Sequence, residues 1–94
     1  MIFVESSGRF QPGRLVATPH ALRVIPLTEM MESYCRHLHC DWGEVCQEDW
    51  SCNDQALKNG DRLFSVYRSL QGDKFWIITE ADRSVTTILL PEDY

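Results

Sequence analysis

Apolar positions recur at helical spacing through the middle of this chain and at every second position through its last third. Leu27, Met30, Met31, Tyr34, Cys35 and Leu38 follow the i, i+3, i+4, i+7, i+8, i+11 progression of one buried helical stripe. Pro26 opens that helix, Glu29 and Glu32 suit its positive end, and Arg36 and His37 its negative end. Upstream, Arg14 to Thr18 reads as a short strand and Thr18-Pro19 as a helix start, with Thr18 capping and Pro19 in the first turn. The helix from His20 to Val24 must be short, because Pro26 restricts Ile25. Cys40-Asp41-Trp42-Gly43 breaks the middle helix. A third helix is expected from about Glu44 to Lys58, with Val45, Cys46, Trp50, Asn53 and Leu57 on its inner face and Asn59-Gly60 as a left-handed end.

After Gly60 the period becomes two. Arg62 to Arg68, Phe75 to Thr79 and Val85 to Leu90 read as strands. Gln71-Gly72-Asp73 and Ala81-Asp82-Arg83-Ser84 are the turns between them, and Pro91 stands where a strand should end. The pattern predicts an α+β domain: two main helices, plus a short N-terminal one, packed on a three- to four-stranded antiparallel meander. The strand at Arg14–Thr18 is free to join an edge. Residues 1–9 read as a flexible lead-in and 10–94 as a single domain, since nothing between them has linker, repeat or low-complexity composition.

The 94 residues carry 44% hydrophobic and 24% charged side chains, ordinary for a soluble globular domain. The formal charge of −5 argues against nonspecific binding to nucleic acid, which needs cations against phosphate. It suits docking on a basic protein surface instead. No apolar run has the length of a membrane span. The opening Met1-Ile2-Phe3-Val4 is cut short by Glu5, unlike an export signal, so a cytoplasmic location is expected.

Charge and compartment decide how the cysteines read. Cys35, Cys40, Cys46 and Cys52 are spaced C-x4-C-x5-C-x5-C, with His37 and His39 interleaved. In a reducing compartment disulfides are not expected. Zinc would ask for a C-x-x-C knuckle that is missing. The simpler expectation is four reduced, small, buried hydrophobes, with no metal and no cofactor.

Polar residues gather at two places. His37 lies one helical turn before Asp41, near Glu48 and Asp49, a set with the composition of an acid–base pair. The hairpin tip carries Glu80, Asp82, Arg83, Ser84, Thr86 and Thr87, more chemistry than a turn requires. The candidate binding residues are therefore His37, Asp41, Trp42, Arg62, Asp82, Arg83 and Thr86, with the hairpin tip and the Asp41-Trp42-Gly43 corner expected to form one site. No catalytic residue is assigned. The chain has no G-x-G-x-x-G, Walker loop, H-E-x-x-H or G-x-S-x-G, which removes the usual reasons to propose an enzyme.

Arg36-His37, Asp41-Trp42-Gly43, Glu48-Asp49, Asn53, Gly60-x-Arg62 and Ser65-x-Tyr67 form one part of a longer pattern. The other is the run Trp76-Ile-Ile-Thr-Glu-Ala-Asp-Arg-Ser-x-Thr-Thr-x-Leu-x-Pro-x-x-Tyr94. Over residues 10–94 the chain resembles a widespread family of small bacterial proteins met on plasmids, integrative elements and prophages, whose function is uncharacterised. Members often carry the label type I restriction modification subunit M. A methyltransferase needs a doubly wound sheet and a glycine cofactor loop, and this chain is too short for either. Cys40 stands where the family pattern has glycine. The resemblance implies a mobile-element protein and leaves two function classes. One is a small acidic non-enzymatic binding protein with a protein partner, such as an inhibitor of host restriction or CRISPR defence. The alternative is a small-molecule-binding or catalytic pocket built from His37, Asp41, Trp42, Arg62, Asp82 and Arg83.

Overall fold

The computed structural model describes residues 8–94. Most of the expected lead-in, 1–9, therefore lies outside the described residues. Its last residue, Arg9, donates its backbone N–H to Leu38 at 2.8 Å. The elements run β1 (Arg14–Ala17), α1 (Pro19–Val24), α2 (Leu27–Leu38), α3 (Gln47–Asn59), β2 (Leu63–Arg68), β3 (Lys74–Thr79) and β4 (Val85–Leu89), ending in a 3-10 turn at Pro91–Asp93. This is the α+β fold that the alternation of periods predicts. The sheet order is β1-β4-β3-β2, with β2, β3 and β4 as the antiparallel meander. β1 joins β4 in parallel, which makes the sheet mixed rather than wholly antiparallel. A parallel neighbour is possible because α1, α2, α3 and two strands separate β1 from β4 in sequence.

Local chemistry explains the starts and stops. Thr18 caps α1 by accepting from the Ala21 amide, with Pro19 next to it. Gly60 ends α3 at φ 75, in the left-handed region. Odd-numbered residues of β1, β2 and β3 point to the helices. Leu15, Ala17, Tyr67, Phe75, Ile77, Ile88 and Leu90 pack there with Ala21, Ile25 and Met30. A second cluster, Trp42, Ala56 and Leu63, gathers Phe10, Val45, Trp50 and Leu57.

Two expectations are corrected. α3 begins at Gln47, not near Glu44. Residues 42–44 instead run as a strand-like segment along β2, where Val66 N–H donates to Trp42 and Glu44 N–H to the Val66 carbonyl. Gly43 makes that approach possible: at φ 77, a Cβ would lie 2.0 Å from the Val66 oxygen. The buried face of α2 is also rotated from the apolar stripe. Met30, Ser33 and His37 are buried, whereas Leu27 is 64% and Met31 39% exposed. The rotation carries His37 to hydroxyl partners on the sheet.

Candidate functional site

His37 leaves α2 into the interior and is wholly buried, as are Ser65 on β2, Thr79 on β3 and Thr86 on β4. These four make one chain of hydrogen bonds: Ser65 Oγ to His37 Nδ1 at 2.6 Å, His37 Nε2 to Thr79 Oγ1 at 2.9 Å, and Thr79 Oγ1 to Thr86 Oγ1 at 2.7 Å. Thr86 then donates to the Pro12 carbonyl at 2.7 Å. A carbonyl only accepts, so every proton along the chain is directed. Thr86 accepts from Thr79, Thr79 accepts from His37 Nε2–H, and Nδ1 accepts from Ser65. Burial, helped by the charge of Arg83, pushes the His37 pKa down to about 3 and keeps the ring neutral. A serine hydroxyl on an imidazole has the composition of a nucleophile with its base. Neither group reaches solvent, so the arrangement is a structural network.

Trp42 is equally buried, its indole N–H donating to Asp54 at 3.1 Å. Asp41 does not meet His37 as an acid–base partner. Its carboxylate takes Arg36 Nε at 2.9 Å and the Gly43 amide at 3.2 Å, and these hold its pKa below the usual carboxylate range, Arg36 foremost. Its carbonyl accepts from the Tyr67 hydroxyl at 2.6 Å.

At the hairpin tip Arg83 is half-buried, with φ 60. Its guanidinium turns back to four carbonyls: Asp61 at 2.6 Å, Glu80 at 3.1 Å, Ala81 at 3.3 Å and Ala56 at 3.4 Å. Ala56 and Asp61 flank the C-terminal end of α3, where a cation offsets the helix dipole. The tip and the corner are joined through Phe10, which no sequence motif marks. Arg83 lies 5.8 Å from the Phe10 ring centre, and Phe10 stacks on Trp42 at 6.5 Å and meets His37 edge-on at 5.4 Å. Asp82 is exposed and accepts from the Ser84 amide at 3.0 Å. Arg62 stands apart, donating to the Tyr94 hydroxyl at 2.9 Å and lying 3.5 Å from Glu80.

The seven residues thus divide into a buried set (His37, Trp42, Thr86), paired side chains (Asp41, Arg62), a helix-end cation (Arg83) and an exposed turn residue (Asp82). A shallow depression beside α3, lined by Gln47, Glu48, Asp49, Ser51 and Cys52, holds none of them. The cysteines are free, but the expectation of burial is corrected: Cys35, Cys46 and Cys52 are exposed and Cys40 half-buried. Cys46 serves as the α3 N-cap, and the rotation of α2 turns Cys35 outward. Among the described residues no cluster of histidine, cysteine and carboxylate groups has the form of a metal site, and no helix is long and apolar enough to cross a membrane. No family model, curated protein or solved structure matches the chain.

The sheet's other face was not marked by any motif. Phe64, Val66, Trp76, Ile78, Val85, Thr87, Leu89 and Val16 alternate with the core residues and so point away from the helices. None of them belongs to either core cluster. Ile78 and Leu89 are nevertheless buried and the other six half-buried, because the C-terminal turn packs against β3 on this side. Phe64 meets Trp76 edge-on at 5.0 Å, Trp76 meets Tyr94 at 5.7 Å, and Arg62 lies over the Tyr94 ring at 5.6 Å. The signal was present in the period-two pattern: strands that are apolar on both faces need a second cover, and here the C-terminal turn with Tyr94 supplies only a partial one.

Proposed function

We propose that this chain is a small acidic, non-enzymatic, cytoplasmic binding protein of a mobile genetic element, and that it acts by docking on a protein component of host defence of the restriction or CRISPR type. The observation that carries the reading is how the polar motif residues are used. His37, Trp42 and Thr86 are sealed inside, and Asp41, Arg62 and Arg83 spend their charges on internal partners. A catalytic or small-molecule site would need several of them to converge on an open concavity, and the side chains do not do so. The mobile-element setting comes from the resemblance in sequence, and the acidic surface supplies the chemistry of docking. Glu48 and Asp49 in the first turn of α3 and Asp54 further along it are exposed, as is Asp61 beyond its far end. Such a surface fits a basic, nucleic-acid-binding groove on a partner.

The test is inhibition of purified restriction and CRISPR nucleases by the purified chain. The expected result is stoichiometric loss of DNA cleavage with a co-eluting complex, weakened by the double variant Glu48→Lys, Asp49→Lys. Unchanged cleavage and no complex across both nuclease classes would reject the proposal.

A further inference from the structure

The open face of the sheet differs in charge from the molecule as a whole. Arg14, Arg62, Arg68 and Lys74 rim it, four of the chain's nine Lys and Arg residues. Glu80 neutralises Arg62, and Glu44 reaches Arg68 from the strand edge at 3.1 Å. Among the described residues Arg14 and Lys74 have no ion pair, and both are exposed. Between these rims lie Phe64, Trp76 and Tyr94, the last 70% exposed. A net charge of −5 describes the whole surface; on this rim Glu44 and Glu80 balance two of the four cations and leave Arg14 and Lys74 as a local excess of positive charge.

We infer that this face binds single-stranded DNA, with bases stacking on Trp76 and Tyr94 and with phosphates against Arg14 and Lys74. The rings give π-surfaces that any base can use, and the cations stand at the ends of the strands where a backbone would pass. Double-stranded DNA is the poorer fit, because paired and stacked bases do not expose their faces to these rings. This surface goes beyond the protein-docking reading and is independent of it, since it uses cations and rings of the sheet and C-terminal turn rather than carboxylates of α3.

The experiment is fluorescence anisotropy of a labelled twelve-residue oligothymidine at low salt. Binding should appear together with quenching of tryptophan fluorescence. The log–log salt slope should lie between about −1.4 and −2.8, the values for two to four phosphate contacts on a single strand. Trp76→Ala should weaken binding by about tenfold or more. Because Trp76 helps to cover Ile78 and Leu89, the double variant Arg14→Glu, Lys74→Glu provides a second measure at exposed positions; it should abolish binding while the circular dichroism spectrum stays unchanged. Absence of binding overturns the inference, as do equal affinity for duplex DNA, a tenfold preference for oligouridine, and undiminished binding by the double variant.

Discussion

Cys40 holds a backbone conformation, φ 66, that glycine tolerates best. It is the residue just past the end of α2, where Cys40 N–H donates to the His37 carbonyl and Asp41 N–H to that of Arg36. These paired bonds close the helix and require the left-handed turn. Glycine at this place in the resembling pattern has the same physical basis. Cys40→Gly should therefore stabilise the fold by up to about 1 kcal/mol, less the half-buried thiol's packing against the Trp42 cluster, whereas Cys40→Val should cost more than about 1 kcal/mol. Urea denaturation of the two variants measures both, and a large loss in Cys40→Gly would show that packing outweighs strain. Arg83 is the other non-glycine residue at positive φ. Removing its four carbonyl contacts by Arg83→Ala should cost on the order of 1–2 kcal/mol. Arg83→Gly should cost less, because it releases the backbone while losing the same bonds. Equal thermal stability of Arg83→Ala and the parent would return the residue to a purely functional reading. The sequence marks Arg83 as unusual for a turn. It cannot show that the end of α3 lies opposite, because that contact joins residues distant in the chain.

The strands were legible as elements because their period comes from local alternation, and the helix ends because Thr18-Pro19 and Asn59-Gly60 act within one turn. The orientation of α2 was not legible. Its apolar stripe would have faced inward by hydrophobicity alone, but hydroxyls on two separate strands, Ser65 of β2 and Thr79 of β3, give His37 its partners, and this turned the helix. The protection of β2's outer edge was equally hidden. An open strand edge invites unwanted pairing, and here α3 and the Trp42–Glu44 segment close it. The Asn53 amide donates to the Phe64 carbonyl at 2.7 Å and accepts from the Phe64 N–H at 3.0 Å, imitating a neighbouring strand. Asn53 is buried, so Asn53→Ala would leave both Phe64 groups without a partner. The expected cost is about 2–3 kcal/mol, with faster hydrogen exchange at the Phe64 amide. Unchanged exchange there would mean that the edge is held by the Gly43 segment alone.

At the scale of the whole molecule, the bond chain through His37 joins α2, β2, β3, β4 and the Pro12 turn. Among the described residues no buried side-chain nitrogen or oxygen lacks a partner, and the neutral ring satisfies every position of this network. A proton on Nδ1 would make Ser65 turn its hydroxyl away and would bury a charge, and that burial is the main cost. The folded pKa of about 3 lies below the ordinary 6.5, so the unfolded chain takes up a proton that the native protein refuses. Stability is therefore full above pH 6.5 and falls as the pH drops from there towards 3, by up to tenfold in the folding equilibrium per pH unit. Asp41 and Asp93 add to the loss only at lower pH. Their pKa values are held below 3.8, foremost by Arg36 and by Thr18 respectively, and their stabilisation disappears once they protonate. The first part of the acid limb thus belongs to His37. In His37→Gln the amide can donate to Thr79 and accept from Ser65, which preserves the direction of the chain without a titrating proton. Urea midpoints measured from pH 8 to pH 4 should fall steadily below pH 6.5 in the parent relative to His37→Gln. The difference between the two curves isolates this ring from His20 and His39. Parallel curves over that range would mean that His37 accepts its proton in the folded state, and the buried network would then have to rearrange to hold a charge.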